Sequence, residues 1–167
     1  MKNINVIAMA GKGKRFSVEG YKTIKPLILF KKKPIILYSV RSLPFSKKKI
    51  FICRNSHYKN FKLNTLFKKY FTNFRFIKLF KENSGQAVSC YNAINQIPTG
   101  HSVTFGACDY HYNFNKNKFK YLIKKFDLIV FVTRPDKNML RNPNQYGWVK
   151  KGKKDQIEKI SCKRKVS

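Results

Sequence analysis

Short apolar runs alternate along the chain with longer stretches in which apolar residues recur at helical spacing. Ile4–Ala10 is an apolar run of strand length closed by Gly11, the pattern of a strand covered on both faces. Residues 11–25 are polar and rich in Gly and Lys and read as a loop, followed by a short extended piece over Leu27–Phe30. Pro34 suits the first turn of a helix running to about Leu43, with Ile35, Tyr38 and Leu43 inward. Ile50–Cys53 is a second strand. Ser56 can cap a helix over 56–71 with Phe61, Leu66, Phe67 and Tyr70 inward. Phe74–Leu79 is a third strand, Gln86–Ile97 a helix, and Val103–Ala107 a fourth strand ending at Cys108 and Asp109. Asn115 can cap a helix over 116–125, and the β-branched run Leu128–Thr133 predicts a fifth strand.

After Pro135 the pattern changes. Asn142-Pro143-Asn144 is a turn, and Tyr146–Val149 and Ile157–Ser161 read as a strand pair joined by a turn at Lys151-Gly152-Lys153-Lys154. Strand–helix alternation through residue 133 predicts an α/β fold: three layers, α/β/α and Rossmann-like, with a mostly parallel sheet and a small C-terminal β hairpin. The length of 167 residues suits one domain with a real core. The chain stops after Lys163-Arg164-Lys165-Val166-Ser167 without a helix or closing strand, the ending expected of an incomplete domain.

Charge changes the picture. The 37 Lys and Arg face 7 Asp and Glu, a formal net charge of +30, which makes polyanions the first partners to consider. With 43% hydrophobic and 15% aromatic residues, the chain is nevertheless too apolar for a disordered polycation. Only 7 of the basic residues are Arg, whose planar fork suits base edges. Lys triplets such as Lys31-Lys32-Lys33 and Lys47-Lys48-Lys49 sit between apolar runs, where turns put them in water. Abundant Lys with abundant Asn, Ile and Phe equally fits a compositional bias of a whole genome. Non-specific polyanion binding at low salt follows under either reading.

No apolar run approaches the roughly 20 residues of a membrane-spanning helix, and no signal-peptide pattern opens the chain. Cys53, Cys90, Cys108 and Cys162 are scattered, with no Cys-x-x-Cys pair, so reduced thiols in a cytoplasmic protein are expected. His57, His101 and His111 share no metal-ligand spacing, and Cys108-Asp109-Tyr110-His111 offers donors only for an adventitious metal.

The candidate chemistry begins at Ala10-Gly11-Lys12-Gly13-Lys14-Arg15-Phe16, which follows the first strand at the carboxyl edge of the sheet, where open α/β sheets bind ligands. Glycines there let backbone N–H groups approach a phosphate. The segment lacks the third Gly of a dinucleotide fingerprint, Phe16 standing in that place, and lacks a Walker ending, so a plain tight turn is an equal reading of the loop alone. Taken with Lys25-Pro26-Leu27-Ile28 and Lys33-Pro34-Ile35-Ile36, however, it resembles the opening signature of the sugar-phosphate nucleotidyltransferases, or NDP-sugar pyrophosphorylases. Asn83-Ser84-Gly85-Gln86-Ala87 resembles that family's loop near base and sugar. Val103–Asp109-Tyr110 resembles the strand that delivers its metal-binding Asp. Tyr146-Gly147-Trp148-Val149 followed by Ile157–Lys163 is similar, more weakly, to its sugar-side hairpin, with Cys162-Lys163 where the family has Glu-Lys.

The resemblance implies transfer of a nucleoside monophosphate from an NTP to a sugar 1-phosphate or similar phospho-acceptor, with Mg²⁺ and release of pyrophosphate, in glycan or capsule precursor synthesis. It implies Arg15 on the leaving phosphates, Lys25 on the α-phosphate and the attacking phosphate, and Asp109 on Mg²⁺. Ala10, Gly11, Gly13, Gly85 and Gln86 would contact the nucleotide, and Lys163 the sugar phosphate. It covers the whole chain but only the N-terminal two-thirds of the family's catalytic domain. On that resemblance, the single domain 1–167 comprises a nucleotide-binding part of about 1–134 and the start of a sugar-binding part, about 135–167. The family's second metal-binding Asp has no clear match: Asp127 begins a predicted strand, Asp136 follows a Pro turn and Asp155 lies in the hairpin. A truncated, inactive relative that binds nucleotides or polyanions without catalysis is therefore the alternative. A dedicated RNA-binding protein would need a recognisable module, and none is present.

Overall fold

Residues turn alternately to the two faces of the first strand, β1 (Asn3–Ala8): Ile4 and Val6 join one apolar cluster, Ile7 and the following Met9 the other. The buried Asn5 between them is satisfied, its Nδ2 donating to the Pro44 carbonyl at 2.9 Å. The computed structural model describes residues 3–81, 85–164 and 166, in two compact units, one up to Lys116 and one from Asn117 on.

In the first unit β1 is central. It pairs in parallel with β4 (Lys48–Arg54) on one side and β6 (Ser102–Ala107) on the other, and β4 pairs in parallel with β5 (Phe74–Leu79), giving the order β5-β4-β1-β6. Phe51 and Cys53 project to one face of β4, Ile50 and Ile52 to the other. Helices cover both faces, so the expected three-layer α/β architecture is present, with an all-parallel sheet. Aromatics dominate one core: Phe51 meets Phe67 at 4.8 Å, Phe71 at 5.1 Å and Phe76 at 5.7 Å. Those rings are packing, not a base-stacking platform.

Several predicted elements differ. The loop over 11–25 contains a short helix, α1 (Lys14–Val18), and Lys25–Leu27 forms a single 3₁₀ turn. A small hairpin follows, β2 (Leu29–Phe30) against β3 (Lys33–Pro34), with Lys31 and Lys32 at φ 47° and 61°. It delivers the chain into α2 (Ile35–Ser42), whose inward residues are Ile36, Leu37 and Val40 rather than Ile35 and Tyr38. The hairpin claims Tyr38 instead: its hydroxyl donates to the Phe30 carbonyl at 3.2 Å and the two rings meet edge-on at 5.5 Å. The helix expected over 56–71 is two, α3 (Asn55–Asn60) and α4 (Leu63–Lys68), broken at Lys62 with φ 44°. The break brings Leu63 and Phe67 into the core and leaves Tyr70 43% exposed. On the opposite face α5 (Gln86–Asn92) is shorter than predicted and passes into a 3₁₀ turn at Ile94–Gln96.

The junction of α2 with β6 is close. A Cβ on Gly106 would stand 2.8 Å from Leu43 Cδ1, so with the Leu43 side chain as it lies, β6 meets the end of α2 at a position without a side chain.

The second unit holds α6 (Lys116–Leu122), α7 (Lys137–Arg141) and an antiparallel hairpin of β7 (Gly147–Lys151) and β8 (Ile157–Cys162). The hairpin is as the sequence predicts; α7 is not foreseen and is capped by Asp136, whose Oδ1 accepts from Met139 N at 2.8 Å. The fifth strand over Leu128–Thr133 does not form: among the described residues no strand pairs with it, and β propensity without a partner ladder makes no strand. Positive φ recurs at Lys154 and Lys163, besides Lys31, Lys32, Lys62 and Asn73. Among the described residues, no helix is long and apolar enough to cross a membrane.

Candidate functional site

Because every strand of the main sheet runs the same way, the segments after β1 and β6 emerge together at its carboxyl edge. From β1 the chain leads away through β4 to β5, whereas β6 lies on the other side of β1. That reversal makes the gap between β1 and β6 the switch point where open α/β sheets bind ligands. The glycine loop leaves β1 there and Asp109 follows β6.

The loop is held from both ends. Met9 N donates to the Ile52 carbonyl at 2.8 Å, and Arg54 Nε donates to the Ala10 carbonyl at 2.9 Å, fixing the exit from β1 against β4. Gly13 then turns the chain with φ 67°, a conformation that favours glycine, and its carbonyl accepts from Phe16 N and Ser17 N to start α1. Gly11 and Arg15 are exposed, Arg15 on α1.

Lys25 and Asp109 are brought together. Lys25 Nζ lies 2.5 Å from Asp109 Oδ2, with 35% and 31% of the two side chains exposed. The Phe16 ring flanks the same ammonium at 5.3 Å, so a carboxylate and an aromatic face position the cation jointly. A half-exposed pair of this kind contributes about 1 kcal/mol or less, so a phosphate can draw Lys25 away at little cost.

The loop carrying Asp109 is anchored on its far side. Ala107 N donates to the Tyr112 hydroxyl at 3.3 Å, and Tyr112 N donates to Ser42 Oγ, at the end of α2, at 2.9 Å. Cys108, next to Asp109, is buried, and burial together with the Asp109 carboxylate pushes its thiol up to about 12. It is a protonated packing residue at neutral pH, neither nucleophile nor thiolate ligand. Beside Asp109 a recess of about 200 Å³ is lined by Phe30, Ile35, Tyr38, Ser39, Asp109 and His111.

Gly85 adopts φ 117° and ψ 175°, a backbone conformation reserved for glycine, and directs the chain into α5, where exposed Gln86 is the first residue. Asn83 and Ser84 of the same motif lie outside the described residues. Lys163 belongs to the second unit, just beyond β8, with φ 58° and its amide donating to the Tyr146 carbonyl at 2.8 Å. Arg54 and Tyr112 were not singled out in the sequence, and Phe16, which belongs to the quoted loop motif, carried no assigned role there.

Among the described residues, no group of three or more His, Cys, Asp or Glu is placed to hold a metal. Asp109 offers one carboxylate. Such a donor set suits a metal that arrives with a triphosphate, since Mg²⁺ takes one or two carboxylates and completes its shell with phosphate oxygens and water.

No protein-family model and no curated protein matches the chain. Solved structures do. A nucleoside-diphosphate-sugar pyrophosphorylase from Vibrio cholerae superposes with a TM-score of 0.69 at 19% identity, over 98% of this chain and 68% of its own. A UDP-glucose pyrophosphorylase complexed with UDP-glucose gives 0.71 at 13% identity, over 99% and 70%. A 4-diphosphocytidyl-2C-methyl-D-erythritol synthase from Anaerococcus prevotii gives 0.50 at 10%, over 94% and 63%. The chain therefore has the fold of these nucleotidyltransferases and spans about two-thirds of their length.

Proposed function

We propose that this chain is a nucleotidyltransferase that moves a nucleoside monophosphate from an NTP to a sugar 1-phosphate or similar phospho-acceptor and releases pyrophosphate, serving glycan precursor synthesis. The observation that carries the reading is the Lys25–Asp109 pair, 2.5 Å apart, beside the glycine loop at the β1/β6 switch point. The likeness in fold to pyrophosphorylases supports it.

In this mechanism an acceptor phosphate oxygen attacks the α-phosphorus, the new O–P bond forms, the bond to the β-phosphate oxygen breaks, and pyrophosphate departs. No proton or covalent protein adduct is required, so the side chains act by alignment and charge. The loop Ala10–Gly13 brings backbone N–H groups to the nucleotide. Arg15 clamps the leaving β- and γ-phosphates with its fork. Lys25 exchanges the Asp109 carboxylate for the α-phosphate and the attacking phosphate, neutralising the charge that crowds there. Gly85 and Gln86 face the base and ribose, and Lys163 the acceptor phosphate. Mg²⁺ held by Asp109 would supply further charge neutralisation across the phosphates.

Calorimetry at about 0.15 M salt, with and without Mg²⁺, across CTP, UTP, dTTP, GTP and ATP tests the cleft, where a polyanion surface would bind all alike and release them with salt. Turnover of Arg15→Ala and Lys25→Ala tests the chemistry; values within a few-fold of wild type would sink the assignment. The alternative reading is nucleotide binding without transfer. Base-selective binding with no pyrophosphate release from any sugar phosphate would establish it.

A further inference from the structure

Arg54 is the last residue of β4, and its half-buried side chain reaches across to the exit from β1. Ala8 lies opposite Ile52 in the β1–β4 register, so Ala10 comes level with Arg54, while Leu79 of β5 lies opposite Arg54 on the other side. The order β5-β4-β1 thus sets Arg54 at the carboxyl edge between the glycine loop and the chain that leads from β5 to Gly85 and Gln86. Arg54 Nε donates to the Ala10 carbonyl at 2.9 Å. No peptide bond among the described residues is cis, and a planar trans unit holds its C=O and N–H on opposite sides. Turning the Ala10 carbonyl to Arg54 therefore aims the Gly11 N–H away from it. Gly11 is exposed, and a Cβ built on it would have no atom within 4 Å, so the space around it is open to a ligand.

We propose that Arg54 is a positioning residue for the nucleotide, presenting the Gly11 amide to a bound NTP by way of the Ala10 carbonyl, a role that rests on the nucleotidyltransferase reading. Met9 N, bonded to the Ile52 carbonyl at 2.8 Å, already fixes the chain one residue earlier. Arg54 sets the peptide unit just beyond that bond. An amide held in its binding orientation beforehand spends less of its bond on ordering than one that must turn to meet the ligand.

The donating nitrogen decides the test. Arg Nε is attached to Cδ, and Gln carries its amide nitrogen on the same carbon. Arg54→Gln keeps the donor and removes the charge, Arg54→Lys keeps the charge and puts a methylene where Nε stood, and Arg54→Met keeps neither. Calorimetry of the full chain at about 0.15 M salt, with Mg²⁺ and each of CTP, UTP, dTTP, GTP and ATP, compares them. With the tightest of these, Arg54→Gln is expected within about 2-fold of wild type, and Arg54→Lys and Arg54→Met weaker by about 10-fold, the scale of one hydrogen bond. In the wild type the Gly11 amide proton resonance is expected to move on nucleotide addition, a readout that depends on no variant. Arg54→Lys at wild-type affinity with Arg54→Gln weakened would mean that charge alone acts, and overturns the proposal. So does Arg54→Gln as weak as Arg54→Met, wild-type affinity in all three, or a Gly11 resonance that ignores bound nucleotide. A wild type that binds none of these nucleotides sinks the nucleotidyltransferase reading itself, and the role of Arg54 with it.

Discussion

Lys25 Nζ lies 2.5 Å from Asp109 Oδ2, joining the turn that follows the glycine loop to the end of β6. Replacing either partner leaves the fold intact, because both are about one-third exposed. Lys25→Met and Asp109→Asn are each expected to lower turnover about 100-fold or more, read as pyrophosphate release. Only Asp109→Asn should also abolish the Mg²⁺ dependence of nucleotide binding.

Gly106 gives a prediction about stability. A methyl group there meets Leu43 Cδ1 at 2.8 Å and Cδ2 at 3.0 Å, so the buried Leu43 side chain must turn aside to admit it. Gly106→Ala is expected to cost about 1–3 kcal/mol in urea unfolding. Adding Leu43→Ala creates the missing space, so the double variant should be less destabilised than the two single changes sum to.

Much of this was legible in the sequence, for physical reasons. A strand buried on both faces is a short apolar run whatever surrounds it, and the run from Ile4 falls in β1; the edge strand Phe74–Leu79, which alternates, appears over the predicted span. The helix break at Lys62 was not legible, because lysine carries no signal for positive φ; a glycine there would have marked it. Leu128–Thr133 misled because β propensity reports a residue's fitness for a ladder, not the presence of a neighbouring strand. At the candidate site, motif order pointed to Lys25 and Asp109 separately. Their contact is a product of strand order, whereas the Phe16 ring meets Lys25 within the one segment that follows β1.

The alkaline limb of stability provides a pH test. Burial pushes the Cys53 thiol up to about 12 from an ordinary value of 9.0, partly offset by Lys78. A raised folded value means the protonated thiol favours the native state; that contribution is complete below pH 9 and is lost as pH rises from 9 towards 12. Unfolding free energy is expected to fall over that window, and Cys53→Ala to flatten the fall while lowering the plateau through lost packing. Denaturant titrations at pH 8, 9 and 10 (about one unit apart, as linkage slopes require) would decide it, and an unchanged slope in the variant would contradict the assignment.

The β2–β3 turn offers the opposite kind of change. Lys31 and Lys32 both hold positive φ, the two-residue geometry that Asn-Gly satisfies without strain. Lys31→Asn with Lys32→Gly is expected to raise the unfolding midpoint, by about 1 kcal/mol in stability. Nucleotide affinity should be unchanged, since neither residue belongs to the proposed cleft.

The left-handed lysines also bear on how this sequence can drift. Lysine codons differ from asparagine codons only in the third base, so Lys31, Lys32, Lys62, Lys154 and Lys163 each stand one nucleotide from a residue at ease in that conformation, as Asn73 already is. Glycine lies two nucleotides away. A reserve of stability is thus within reach of single substitutions in the gene, at turns where the exchange alters no core contact, and each such step would also remove one positive charge.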